Sequence, residues 1–475
     1  MASTINIFAI DQLSPIWPAV EAQISKDRAQ YEHLYQALEK YLSEEPELLV
    51  GGTTGVNLLL GKTKNMDDYT YELYSEDPFR HANVLTNLMA EQVEKHYKKH
   101  IPKVIVMLKS SIPYRKYIIF VDNRALITIF DLGRAKEVST IAVINPVTVE
   151  TFDKSHHIKV LTAEMQLINL YRTLYSPNNA GEWEVALKDE NQLFHKLEAE
   201  IALAPPINGA DGASDSQVKI TTELRNKIQN TILQEFVQNN PHSLLLGEHA
   251  LFLMINESVK HQVVQIISDR EPEEDFRELT RVLKSITSAP ITKHTRMLHI
   301  LQDWRLVRTI IKIGDQQSGE SKEIMYIYNS ARHDLIPFIK FYTDDNKKTN
   351  KGASNFIQVG NPFVILRFLV IDFWIIRWLT FAGGINEGYS KHRQNSLKEK
   401  IVNLRSKLSK QETIRSPHVA AEVEIFQPQS DSYLGSYEDE NIAQKEKAQE
   451  LSKKYNDYYP QEYFVKNGEY RSLTL

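Results

Sequence analysis

The chain has 475 residues, too many for one ordinary hydrophobic core, so two or three domains are expected. It contains no cysteine, which excludes disulfides, Cys–zinc sites and thiol catalysis. A formal net charge of -5 gives no global attraction to nucleic acid, so any such binding must use local patches.

Residues 1–46 read as a lead-in that becomes helical after an extended start, with Leu34, Leu38 and Tyr41 at helical spacing and a stop at Glu44–Pro46. No basic region followed by an apolar run opens the chain, so no leader is expected. Residues 47–203 read as a first domain. It begins with an apolar strand Glu47–Val50, a turn at Gly51-Gly52 and a helix Thr53–Leu60. An alternating strand Tyr69–Tyr74 follows, with Ser75 as N-cap of a helix over Pro78–Glu94. Strands at Lys103–Leu108, Tyr117–Val121 and Leu126–Leu132 come next, the last carrying Asp131. A glycine pair between strand and helix lets backbone N–H groups of Gly51, Gly52 and Thr53 approach a phosphate, helped by the helix dipole. Carboxylates at Asp68, Glu72 and Asp131 could then hold divalent metal against that phosphate, as nucleotidyl transfer needs. The plainer reading of these acids is solvated surface charge. For Glu72 and Asp131, inside apolar strands, the two readings stand level.

Helices are expected at Thr162–Leu174 and Asn178–Leu203, followed by a polar linker over residues 204–218. In residues 219–390 the first pattern recurs. HSLLLGEHALFLMI (His242–Ile255) echoes LLVGGTTGVNLLL, which pairs Gly51 with Gly247, Glu72 with Gln265 and Ser75 with Ser268. Val263 and Gln265 stand where this copy would carry its acids, so the second copy is degenerate. Asn361–Leu379 is the most apolar stretch, but Arg367, Asp372 and Arg377 interrupt it. A helix buried between two lobes, with those charges paired, is expected rather than a membrane span. Residues 391–427 form a basic helical segment, with eight basic residues against two acidic ones over Lys391–Arg415. Lys391, Arg393, Lys398 and Arg405 could track an RNA backbone. No aromatic residues interleave for base stacking, which favours an ordinary helix with Leu397, Ile401, Leu404 and Leu408 packed inward. Residues 428–475 are a polar, Tyr-rich tail with one helix at Glu438–Tyr455.

LLVGGTTGVNLLL, YELYS, DPFRHANVLTNLM, the strand ending IFDL, IKVLTAEMQLINLYRTLYSP, IYNSARHDLIPF and NPFVILRFLVIDFWIIRWL together resemble viral poly(A) polymerase catalytic subunits. The type is that of poxviruses and giant cytoplasmic DNA viruses. The resemblance spans roughly residues 45–380. It implies an α/β (α+β) fold of two nucleotidyltransferase-like lobes, the second degenerate, joined by helices. It implies transfer of AMP from ATP to an RNA 3′ end, with Mg²⁺ or Mn²⁺ held by three carboxylates. Its implied partners are a second copy of the chain or a separate processivity subunit, and its implied location is the host cytoplasm (viral factory) and the virion. Glu72 and Asp131 match the family's second and third acids, but Thr70 stands where the first Asp belongs. A threonine hydroxyl is a poor ligand for a hard cation, so Asp68 is the substitute candidate, on the same strand face by a period of two. The alternative implied by Thr70 is a catalytically lapsed homologue acting as an RNA-binding or scaffold protein.

Overall fold

The computed structural model describes residues 31–60, 70–97, 103–111, 114–122, 124–131, 143–151, 154–175, 183–202, 222–255, 259, 263–300, 303–314, 321–330, 336–342, 355–381, 387–409 and 424–426. The expected linker 204–218, the tail 428–475 with its helix, and Asp68 all lie outside these residues.

Helix α1 (Glu32–Glu44) buries Leu34, Leu38 and Leu42 from one stripe. The first sheet comprises β1 (Leu49–Gly51), β2 (Tyr71–Ser75), β3 (Val104–Ser111), β4 (Tyr114–Val121), β5 (Arg124–Asp131), β6 (Val143–Thr151) and β7 (Lys154–Leu161). Its spatial order is β3-β4-β5-β2-β1-β7-β6. Between β1 and β2 lies α2 (Gly52–Leu59), and after β2 comes α3 (Pro78–His96). The N-cap of α3 is Asp77 and not Ser75: the Asp77 carboxylate accepts from the Arg80 N–H at 3.1 Å, and Pro78 opens the helix. The Ser75 hydroxyl instead accepts the Asp77 N–H at 2.9 Å, tying the strand end to the cap. Helices α4 (Ala163–Tyr175) and α5 (Trp183–Ala202) complete this lobe.

The second lobe repeats the plan. After α6 (Thr222–Thr231), which runs on into a π-helical turn at Ile232–Val237, come β8 (Ser243–Leu246), α7 (Gly247–Ile255), β9 (Val264–Ser268) and α8 (Pro272–Leu283). Three long antiparallel strands follow: β10 (Ile291–Ile300), β11 (Asp303–Gly314) and β12 (Ser321–Ser330). Then come β13 (Ile336–Tyr342), β14 (Phe356–Gly360), α9 (Pro362–Phe381), α10 (Glu387–Ser409) and β15 (Glu424–Phe426). The order β10-β11-β12-β9-β8-β14-β13-β15 matches the first sheet strand for strand, with β15 added at one edge. Directions match as well. β1/β2 and β8/β9 are antiparallel, while β2/β5, β9/β12, β1/β7 and β8/β14 are parallel. The periodicity expected over 391–427 holds for α10, but residues 424–426 leave it to pair with β13. Strands β6, β10 and β14 carry no clear alternation in sequence, and β6 contains Pro146, tolerated at a sheet edge.

One face of the first sheet packs on α1 and α3. A second, larger core joins the other face, through Leu49, Tyr74 and Leu161, to α4, α5, α9, α10 and the whole second lobe. Helices α4 and α9 occupy equivalent positions, each entered through a side-chain cap. The Thr162 hydroxyl accepts from the Met165 N–H at 3.3 Å, and the Asn361 Oδ1 from the Val364 N–H at 3.0 Å. The three charges of α9 are all engaged. Arg367 donates to the Ile168 carbonyl and the Tyr175 hydroxyl of α4, Asp372 accepts from Gln265 and Tyr328, and Arg377 pairs with Glu164. Burial lowers the Arg367 guanidinium to about 10. The apolar helix is an inter-lobe core element, as its composition requires, and among the described residues no helix is long and apolar enough to cross a membrane.

Candidate functional site

The first-lobe cleft is built where β1 ends and α2 begins. Gly51 is the last residue of β1 and Gly52, at φ +62°, opens the helix, a conformation in which a side chain is strained. Gly51 pairs with Glu72 across the sheet. The Glu72 side chain lies over Gly52 so closely that a Cβ there would stand 2.7 Å from its Cδ. A Cβ on Gly51 would meet the Tyr74 ring at 2.6 Å. Both glycines are therefore required by packing alone.

The described groups around Glu72 include a tyrosine and two threonines. Tyr74 donates to Glu72 Oε2 at 3.4 Å and accepts from the Asn169 amide at 3.1 Å. Its ring stacks on Phe130 at 5.1 Å, and the Lys116 ammonium sits 5.6 Å from the Phe130 centroid. The Thr70 hydroxyl donates to the Ala125 carbonyl at 2.8 Å. On β5 the register partner of Glu72 is Thr128. Asp131 pairs with Ser75, three positions further, which is about 10 Å of strand. Thr53, expected to present its backbone N–H to a phosphate, donates its hydroxyl to Asp189 Oδ2 of α5 at 2.6 Å. This puts a buried carboxylate beside the helix N-terminus that a phosphate would approach.

A two-ion site needs carboxylates converging on metals about 4 Å apart. Glu72 is the one acid of β2, with Thr70 before it and Thr128 beside it, and neither threonine hydroxyl is a ligand of the kind a hard cation prefers, while Asp68 and the Asp131 side chain lie outside the described residues. Among the described residues no three His, Asp or Glu side chains come together.

In the second lobe Gly247, at φ +64°, opens α7, and Leu246 pairs with Gln265. The counterpart of Gly247 is thus Gly52, one residue on from the sequence pairing with Gly51. Gln265 lies over Gly247 as Glu72 lies over Gly52, its Cδ 2.8 Å from where a Cβ would be. Here the cleft is filled. Asp372 of α9 accepts from Gln265 at 2.5 Å and from Tyr328 at 2.5 Å, with Arg308 at 3.9 Å, and Arg308 stacks 3.9 Å above the Tyr326 ring. Burial drives the Tyr328 phenol well above its usual range.

The four residues of α10 expected to track RNA separate into two groups. Arg393 and Arg405 are buried: Arg393 pairs with Glu248 of α7 at 3.0 Å, and Lys400 joins the same carboxylate at 2.9 Å. Arg405 grips Glu190 of α5 at 2.8 Å and 2.9 Å, and Tyr171 donates to the same Glu190. The RNA-backbone expectation for these two is corrected, because the helical period that carries the leucines inward carries these arginines with it. Lys391 is exposed, and Lys398 places its ammonium 5.3 Å from the Phe373 ring centroid. The sequence reading missed Asp189, Glu190 and Glu248. No motif marks them, and only their helix positions, facing α2 and α10, give them a role.

No protein-family model matches the chain. It is similar to an uncharacterized protein of African swine fever virus. The identity is 22% over 442 residues for a South African tick isolate, covering 92% of this chain and 94% of the relative, and 22% over 444 residues for a Malawian one. Its fold is that of the crystal structure of the Megavirus polyadenylate synthase, with a TM-score of 0.53 and 16% identity over 95% of this chain and 87% of that one. The relatives are viral, and the fold is a mixed α+β one like that of the Megavirus enzyme.

Proposed function

We propose that this chain is a catalytically lapsed relative of viral poly(A) polymerases, acting as a scaffold for a partner in the infected cell. The observation that carries the reading is the flanking of Glu72 by Thr70 and Thr128. Threonine hydroxyls do not replace carboxylates on Mg²⁺ or Mn²⁺. The Thr53–Asp189 hydrogen bond supports it, since a carboxylate beside the α2 N-terminus opposes a triphosphate. Two rigidly held lobes suit a scaffold: Glu190–Arg405 ties α5 to α10, and Arg367 ties α9 to α4.

A second reading is favoured by the retained Gly52 turn and the two matching acids, Glu72 and Asp131. Under it the chain is a template-independent polymerase adding adenylates from ATP to an RNA 3′ end, with divalent metal at Glu72, Asp131 and Asp68.

Primer extension separates the two. Labelled oligo(A), ATP and either Mg²⁺ or Mn²⁺ are incubated with the full chain beside Glu72→Ala and Asp131→Ala. The lapsed reading expects no extension from any of them, and no Mn²⁺ binding by titration. It also expects Mn²⁺ binding to appear in Thr70→Asp/Thr128→Asp. Metal-dependent tailing that Glu72→Ala abolishes would overturn it and establish the polymerase.

A further inference from the structure

At the far ends of the parallel strands β9 and β12, away from the Gln265 cleft, a group of polar side chains is buried under the first turn of α8. Asp275 of α8 is 1% exposed and Asn329 of β12 is 8% exposed. Ser268 ends β9 beside Asn329 in register. The Asn329 amide nitrogen is used, donating to the Arg270 carbonyl at 2.7 Å. The Ser268 hydroxyl accepts from the Arg270 N–H at 3.1 Å. Two buried acceptors remain without a hydrogen-bond partner: Asp275 Oδ2 and Asn329 Oδ1. A buried acceptor without a donor is costly, and two neighbouring ones are both settled by a single proton.

We propose that Asp275 and Asn329 form a proton-binding pair that fastens the start of α8 to the ends of β9 and β12, so that the second lobe is firmest when the pair holds a proton. The protonated Asp275 Oδ2 donates to Asn329 Oδ1, and the proton comes from solvent. The site lies apart from the first-lobe cleft and is independent of whether that cleft is catalytic.

The electrostatics agree with the geometry. Burial pushes the Asp275 carboxyl up to about 6, against the lowering effects of the Ser268 hydroxyl, the Arg270 charge and the Asn329 amide, with Asp269 adding to the rise. The charged groups nearby are themselves engaged. Arg270 pairs with Glu278 of α8, and Asp269 pairs with His242, which precedes β8, at 3.1 Å. From the α6 side, Arg225 and Glu235 belong to the segment packed along α8. The folded carboxyl lies above its unfolded value of 3.8, so the folded state binds the extra proton. Stability from this pair is full below about pH 4 and is lost as pH rises through about 6.

The test compares the full chain with Asp275→Asn, which keeps shape and hydrogen-bonding capacity without a titrating proton, from about pH 4.5 to about pH 8. Thermal unfolding is followed together with amide exchange of residues 272–283. The wild-type unfolding constant is expected to rise relative to Asp275→Asn by roughly twentyfold between about pH 4.5 and about pH 8, nearly all of it below about pH 6.5. Exchange in α8 should accelerate over the same range. His242→Asn, which removes the imidazole paired with Asp269, should leave that difference in place. Parallel pH curves for wild type and Asp275→Asn would overturn the proposal. So would a wild-type midpoint that Ca²⁺ or Mg²⁺ raises at neutral pH while Asp275→Asn ignores the ion, since the pair would then be a cation site.

Discussion

The two lobes share a strand order, a set of strand directions and a helix opening on a positive-φ glycine, yet they treat the same cleft in opposite ways. In the second lobe Tyr326, Tyr328 and Arg308 occupy the register positions of Thr128, Phe130 and Lys116, and Asp372 closes the space above them. Counting from the first residues of α4 and α9, the first-lobe counterpart of Asp372 is Thr173, whose side chain is shorter and uncharged. A glycine under a long polar side chain persists in both lobes, including the one that has no acid at that position. The Gly52–Glu72 stack is therefore sufficiently explained as architecture. What would make it a metal site is a second and third carboxylate beside it.

The firmest way to break the comparison is at the charges that hold the lobes together. Arg405→Ala leaves Glu190 buried and unbalanced, and is expected to cost about 3–5 kcal/mol in urea unfolding. Asp372→Ala, which strands Gln265 and Tyr328, belongs in the same range, whereas Thr173→Ala in the first lobe should be nearly silent. That contrast checks whether one cleft is filled and the other is not.

His249, the residue after Glu248 in the second lobe, gives a pH test. Burial lowers its imidazole to about 4, with Lys400 opposing its charge and Glu248 favouring it. Because the folded value lies below the unfolded 6.5, the unfolded chain binds more protons in that window. Stability should rise from about pH 4 to about 6.5, by on the order of 3 kcal/mol at most. His249→Asn should flatten that rise in denaturant titrations at several pH values. The first-lobe equivalent, Thr54, cannot titrate, so the effect belongs to one lobe.

Smaller effects sharpen the glycine argument. Gly52→Ala and Gly247→Ala each impose a positive φ on alanine and a collision with the overlying side chain, and each should cost about 1–3 kcal/mol. Equal costs in the two lobes support a structural role in both, and pairing Gly52→Ala with Glu72→Ala should recover part of the loss. A much larger loss for Gly52 alone would mean that the first lobe asks more of its glycine. The smallest effect is expected at Lys391. Lys391→Ala should change stability by no more than about 0.5 kcal/mol, where Arg393→Ala, its neighbour two residues on, should cost more but less than Arg405→Ala, because Lys400 still pairs with Glu248.

Much of this was readable in the residues. The period of three to four in α1, α4 and α10, the strand–glycine–helix unit and its recurrence at His242–Ile255 all express local rules of burial and backbone conformation. The charges within Asn361–Leu379 already argued for a buried, paired helix. Strands β6 and β10 were missed because edge positions relax the alternation that marks a strand, and β14 because a short interior strand buried on both faces has no polar face to alternate. The start of α3 at Pro78 was read as found, but its cap was placed at Ser75 and not Asp77, because both can cap and only the backbone path chooses between them.

By itself, the sequence determined that the strand–glycine–helix pattern recurs and that its second occurrence carries no acid at Val263 or Gln265. Those are statements about residue type and spacing, and they need no third dimension. Only the tertiary structure decided that Thr128 and not Asp131 stands beside Glu72, that Gly52 and not Gly51 is the partner of Gly247, and that Arg393 and Arg405 face inward. Each of these depends on the register between strands or the rotation of a helix. A shift of a single residue there changes the neighbour, and distant parts of the chain set that register by packing.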